Sequence, residues 1–280
     1  MLALLLALSA SLSWGLADFL GGVQTRRTPG TVVVLVSQAV GAVGLLVCAL
    51  ATNDLNLGGD GLRAALVAGT LLAIGLTSFY RALSIGTMSI VAPVTATGAV
   101  VPVIIGLAGG ERPGALAAVG MLAVLAGVLL ATQDGEAEGD RRRASRQSIM
   151  LALLAAVCIG GGLAAYGEAA ESGVLPAVMW ARVVAAALLV VAVVWTRPKF
   201  DRAELNVPAL VALGALDAAA TTLFAVATTK GFLSVVAVTS SLYPAVTVGL
   251  ARTFLGERLR TRQTIGIGVA LAGVGLLAWG

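Results

Sequence analysis

Residues 211–224 read VALGALDAAATTLF, and they set Asp217 in the middle of an apolar run. No charge occurs from Leu205 to Leu216 or from Ala218 to Thr229. If the run crosses a bilayer, Asp217 lies near its centre, where a carboxylate costs about 2.5–3.5 kcal/mol on insertion scales. The rest of the chain says that it does cross. Apolar residues make up 59% of the 280 residues and charged ones 11%, whereas a soluble domain carries about 25% charge. A water-soluble exterior cannot be built from so little charge, so the composition predicts an integral membrane protein.

A spanning helix needs roughly 20 mostly apolar residues. Dividing the chain at its polar punctuation gives ten such segments: 2–22, 31–51, 62–82, 87–108, 113–132, 148–170, 174–196, 207–229, 233–254 and 263–279. Helices are the default because lipid offers no partner for an open strand edge. The first segment is no signal peptide: it lacks a basic flank, and Ser9, Ser11 and Ser13 interrupt it. Cys48 and Cys158 lie in apolar runs and read as small buried hydrophobes.

The two halves match at a nearly constant offset. WGLADF (14–19) aligns with GGLAAY (161–166) at 147. Phe79, Ser84, Gly86 and Ser89 align with Phe224, Thr229, Gly231 and Ser234 at 145, and Glu111, Gly120 and Gly127 with Glu257, Gly266 and Gly273 at 146. Five spans per half make the second copy enter the membrane upside down. The expected fold class is therefore an all-α integral membrane protein of ten transmembrane helices in two five-helix inverted repeats, residues 1–132 and 148–280, joined by a charged linker at 133–147. Inverted repeats build alternately open states around a site at the midplane.

The stretch LGERLRTRQTIGIGVALAGVGLLA (255–278), following SSLYPAVTVGLARTF, resembles the end of an EamA domain, with a weaker copy in GGERPGALAAVGMLAVLAGVLLA (109–131). The whole chain resembles the ten-helix exporters of the drug/metabolite transporter superfamily. That resemblance implies secondary transport of a small metabolite, such as an amino acid or related solute, in the plasma membrane. Proton coupling is one way to drive it. It implies no cofactor, metal or nucleic-acid partner, and it leaves substrate, direction and oligomeric state open.

Asp217 and Arg182 each sit several turns from their helix ends, and such groups face a bundle interior or cavity and tend to pair. They head the candidate site. Thr221 shares the Asp217 face at helical spacing, with Gly214, Phe224 and Thr228. Ser11, Trp14 and Asp18 form a second stripe on the first span. Thr239, Ser240 and Tyr243 form a third, beside Pro244, which cannot donate to the helix ladder. Pro93 and Pro102 predict a similar break in the fourth span. Tyr80, Gln38 and Tyr166 complete the candidates. Each stripe has a structural alternative: a static ion pair, a plain kink, or a packed core face. Glu111 and Glu257 read as caps of the helices they precede, and the glycines of the fifth and tenth spans as close-packing faces. On these stripes, spans one, three, four, six, eight and nine are expected to enclose the pathway.

Rival functions are a channel, a structural membrane subunit, or an intramembrane aspartyl enzyme built on Asp18 and Asp217. No charge ring or carbonyl filter supports a channel, no motif surrounds either aspartate, and the chain has no histidine for a His-based site. No long soluble segment is present to recruit ATP, so an ion or solute gradient is the expected energy source. Orientation divides two arguments. Of the 18 Lys and Arg residues, fourteen lie near the odd-numbered connections and three near the even ones. The positive-inside rule then places both termini outside, whereas the family resemblance implies both inside.

Overall fold

The computed structural model describes residues 1–25, 28–85, 94–95, 97–131, 146–200, 205–255 and 261–279. All regular structure among them is helical. The helices are α1 (Leu2–Gln24), α2 (Gly30–Thr52), α3 (Gly59–Ile85), α4 (Val100–Ala108), α5 (Ala115–Ala131), α6 (Arg146–Glu171), α7 (Val174–Thr196), α8 (Val207–Thr228), α9 (Leu233–Ser240), α10 (Tyr243–Leu255) and α11 (Thr261–Trp279), with a 3-10 turn at Thr97–Ala99 before α4. Helices α1, α2, α3, α6, α7 and α8 are each long and apolar enough to cross a membrane, and four shorter apolar segments, Thr97–Ala108, Ala115–Leu130, Leu233–Thr247 and Thr264–Trp279, accompany them. The chain is a multi-pass membrane protein.

The boundaries follow local chemistry. Asp60 in the first turn of α3 suits the positive helix end. Asn206 caps α8 by accepting a hydrogen bond from the Ala209 amide at 3.2 Å, and Pro208 fits the first turn, where no intrahelical donor is required. The ninth apolar run is not continuous. It breaks between Ser240 and Tyr243, one turn ahead of Pro244, as a proline inside a helix dictates. Pro102, by contrast, is the third residue of α4, so its missing N–H costs no bond. The break instead precedes it, at Thr97–Ala99. Pro93 lies outside the described residues, as do Gly86, Ser89, Glu257, residue 132 and linker residues 133–145; Arg146 and Gln147 already belong to α6.

The main packing pairs are α3 on α6, α1 on α8, α2 on α7 and α5 on α11. Next come α3 on α7 and α2 on α8, then α1 against α9 and α10, and α6 against α4 and its 3-10 turn. Exchanging the halves carries α3–α6 onto α8–α1 and α3–α7 onto α8–α2, and returns α2–α7 and α5–α11 to themselves. Small residues let the backbones approach. A methyl at Gly120 would lie 2.8 Å from the Gly273 carbonyl oxygen, and one at Gly127 would lie 2.6 Å from that of Gly266, so these glycines seat α5 on α11. Gly268 and Gly275 meet nothing within 4 Å and take no part in that seam.

The two ends of the bundle are packed differently. The largest buried cluster joins the starts of α1, α3 and α7 to the ends of α6 and α8: Ala3, Ala7 and Ala10; Ala64, Ala65 and Ala68; Ala177 and Val178; Tyr166, Ala169 and Ala170; Phe224, Ala225 and Ala227. This is the end bearing the amino terminus. At the other end the clusters are small. Cys158 is buried, but Cys48 is exposed on α2, where a thiol needs no partner to face an apolar surround.

Candidate functional site

Midway along the bundle, the carboxylate on α8 gathers donors from three other helices. The Arg182 guanidinium on α7 donates to Asp217 Oδ2 on α8 at 2.9 Å. Gln38 Nε2 and Ser37 Oγ on α2 donate to the same oxygen at 3.1 and 3.4 Å. Trp14 Nε1 on α1 donates to Oδ1 at 3.2 Å. Arg182 Nη1 also reaches Gln38 Oε1 at 3.3 Å, and Nη2 donates to the Asp217 carbonyl and to Thr221 Oγ1, each at 2.8 Å. Thr221 in turn donates to the Asp217 carbonyl, also at 2.8 Å. A buried charge is tolerable when it is paired and hydrogen-bonded, and this network meets that requirement everywhere but at Arg182 Nε, which is buried without a partner among the described residues.

The pair is lopsided in burial: the Arg182 side chain is 1% exposed and that of Asp217 21%. Arg182 reaches the site only because α2 carries a glycine where it passes. A methyl at Gly41 would lie 2.7 Å from Nη1 and 3.0 Å from Cδ. Gly214 permits the same closeness between α8 and α2, since a methyl there would meet Val40 Cβ at 2.7 Å and the Ser37 carbonyl oxygen at 2.9 Å.

Above Asp217 the walls are aromatic. The Trp14 ring meets Phe224 at 5.7 Å and 45°, and Tyr243 at 6.3 Å and 70°. Asp18, one turn beyond Trp14, is exposed and lies within electrostatic reach of Asp217, Tyr80 and Tyr243. Ser11 continues the same face of α1 toward the amino-terminal end, buried and without a hydrogen-bond partner among the described residues. Tyr80 packs on Phe79 at 5.5 Å and against Gly30.

The structure thus brings Asp217, Arg182, Thr221, Gln38, Trp14, Asp18, Tyr80 and Tyr243 into one region. Thr239 and Ser240 are placed elsewhere: Thr239 donates to the Val235 carbonyl at 2.8 Å, and Ser240 to that of Ala7 at 3.4 Å, in the seam between α9 and α1. Pro244 is the second residue of α10. Tyr166 belongs to the packed core. Two features run against the sequence expectation. Helices α2 and α7 supply site residues, although their polar residues form no stripe. Glu111 does not cap α5, the helix it precedes. It accepts hydrogen bonds from the Leu233 and Ser234 amides at the start of α9, the latter at 3.0 Å. The turn through Gly110, at φ 98°, sends the carboxylate back over Gly106 and across to the other half of the chain. Ser37 was missed, though Ser-Gln at 37–38 is the only polar pair inside that apolar run.

The profile of the EamA-like transporter family matches the chain twice, over residues 1–133 and 146–279. No curated protein matches it. A solved crystal structure shares its fold with a TM-score of 0.81, at 18% identity over 99% of this chain and 96% of the other.

Proposed function

Because the chain belongs to the EamA-like transporter family, we propose that it is a secondary transporter of the drug/metabolite superfamily, with ten spans in two inverted repeats. It exports or exchanges a small metabolite, such as an amino acid or related solute, across the plasma membrane by alternating access. The observation that carries this reading is the bridge from Asp217 to Arg182 and Gln38, which joins elements that alternating access would move apart. Asp217, Trp14, Asp18 and Tyr243 ride on the α1–α8–α10 group, and Tyr80 on the α3–α6 group. Arg182, Gln38 and Ser37 lie on the α2–α7 pair between them. Rocking one group against the other changes the distance from Asp217 to Arg182.

That distance sets how well the Asp217 charge is compensated. Burial opposes the charged carboxylate, and an arginine within about 4–6 Å favours it. Arg182 compensates the Asp217 charge in this arrangement, and its withdrawal leaves that charge uncompensated. Coupling of proton movement to solute movement at Asp217 is part of this proposal. Under the positive-inside rule the end opposite the amino terminus, which bears most of the basic connections, faces the cytoplasm.

Asp217→Asn separates this reading from a static ion pair. The amide keeps the shape but cannot titrate. Reconstituted protein carrying it should retain solute exchange and lose gradient-driven accumulation. Gradient-driven transport with unaltered pH dependence would remove Asp217 from the coupling role.

A further inference from the structure

Asp217 is saturated with donors; Asp18 is not. Asp18 has no hydrogen bond or ion pair among the described residues, yet it is exposed on the inward side of α1. The lipid-facing side of that helix is marked by exposed Leu5, Leu12 and Leu16, and at 100° per residue Asp18 stands roughly 120–160° round from them. The face it occupies is buried at Ala7 and Ser11 and opens at Asp18 and Gly22, where nothing lies within 4 Å of a methyl built on the glycine. An accessible carboxylate on the inner face of a spanning helix implies an opening into the bundle at this end, since such groups face an interior or a water-filled cavity.

Three further observations point to what enters it. Trp14 and Tyr243, both partly exposed, meet edge to face at 70° rather than in a closed stack, with the fully buried Phe224 behind Trp14. With its carboxylates ionised, the region holds Asp18 and Asp217 against Arg182, an excess of one negative charge. Ser11 leaves a buried hydroxyl unpartnered on the same face of α1. Aromatic faces attract cations, quaternary ammonium groups in particular. Resting on the transporter reading above, we infer that this cavity takes a solute with an alkylammonium group, its charge against Asp18 and its alkyl substituents against Trp14 and Tyr243. Asp217, already neutralised by Arg182, senses the occupant through Trp14 rather than binding it.

Full-length protein in liposomes, subjected to concentration jumps of methylammonium, tetramethylammonium, acetate and tert-butanol on a supported membrane, tests this. Saturable charge displacement is expected with the two ammonium ions and with neither control. Asp18→Asn should raise the half-saturating concentration at least about tenfold, the scale on which losing a close charge partner is felt. Asp18→Glu should restore the response, and Trp14→Leu should weaken tetramethylammonium more than Trp14→Phe does. No response to either ammonium ion, or an unchanged response in Asp18→Asn, overturns the inference. If acetate alone is exchanged, the inference fails while the transporter reading stands. If no solute moves and cysteines at the two ends of the bundle never trade accessibility, both fail.

Discussion

The end of the bundle bearing the amino terminus and the opposite end are built from the same helices but from different chemistry. The first is closed by alanines, with Ala7, Ala10, Ala65, Ala68, Ala169 and Ala177 all fully buried, and by the Glu111 carboxylate held on the first amides of α9. The second carries the exposed Asp18, the partly exposed Trp14 and Tyr243, and smaller apolar clusters. The floor between them is the Asp217–Arg182 network. A membrane bundle gains little from hydrophobic contact between helices, so close packing of small residues and polar bonds decide which seams hold. The closed end is therefore closed by fit and by one cross-half cap, both of which can be undone without unfolding a helix. Under the proposed alternating access, the difference between the ends is one of its two states.

The comparison can be broken in four places, by decreasing effect. Arg182→Met removes the cation and leaves Asp217 uncompensated at the midplane; loss of one partner of a buried pair costs about 3–5 kcal/mol. Thermal unfolding in detergent should show that loss, and Asp217→Asn added to it should recover part. Ala68→Leu overpacks the closed end by roughly 1–3 kcal/mol, and should raise labelling of cysteines placed there. Glu111→Gln keeps the size of the side chain but removes the charge and one of the two acceptor oxygens at the start of α9, a cap effect of about 0.5–2 kcal/mol. It should loosen the same end by a smaller amount, read by the same labelling. Gly22→Ala, in open space, should change stability by no more than about 0.5 kcal/mol.

The residues that could be read from sequence were those whose chemistry contradicts their surroundings. Asp217 and Arg182 stand out because almost nothing near them is polar, and spans of this length give such groups few places to go but inward. The break at Ser240–Tyr243 was legible because Pro244 forbids a continuous ladder. What remained hidden depends on contacts far apart in the chain. Glu111 meets an amide 122 residues away, and no local rule says which helix start a carboxylate will find. Ser37 looks like any serine that bonds back to its own helix. Gly41 resembles every other glycine in an apolar run until the Arg182 side chain is laid against it. Cys48 was expected inside because free cysteine usually is, a rule drawn from proteins whose outside is water.

The account turns on the two ends being alternately open around Asp217. With the native cysteines replaced, Gly22→Cys and Ala7→Cys can be labelled separately in membranes by a small polar thiol reagent, with and without Asp217→Asn. The account predicts that Gly22→Cys reacts and Ala7→Cys is protected in the unaltered background, and that Asp217→Asn, by weakening the hold of Arg182 and Gln38 on α8, shifts labelling from the first position toward the second. Equal reactivity at both positions, or a pattern indifferent to Asp217→Asn, would contradict it.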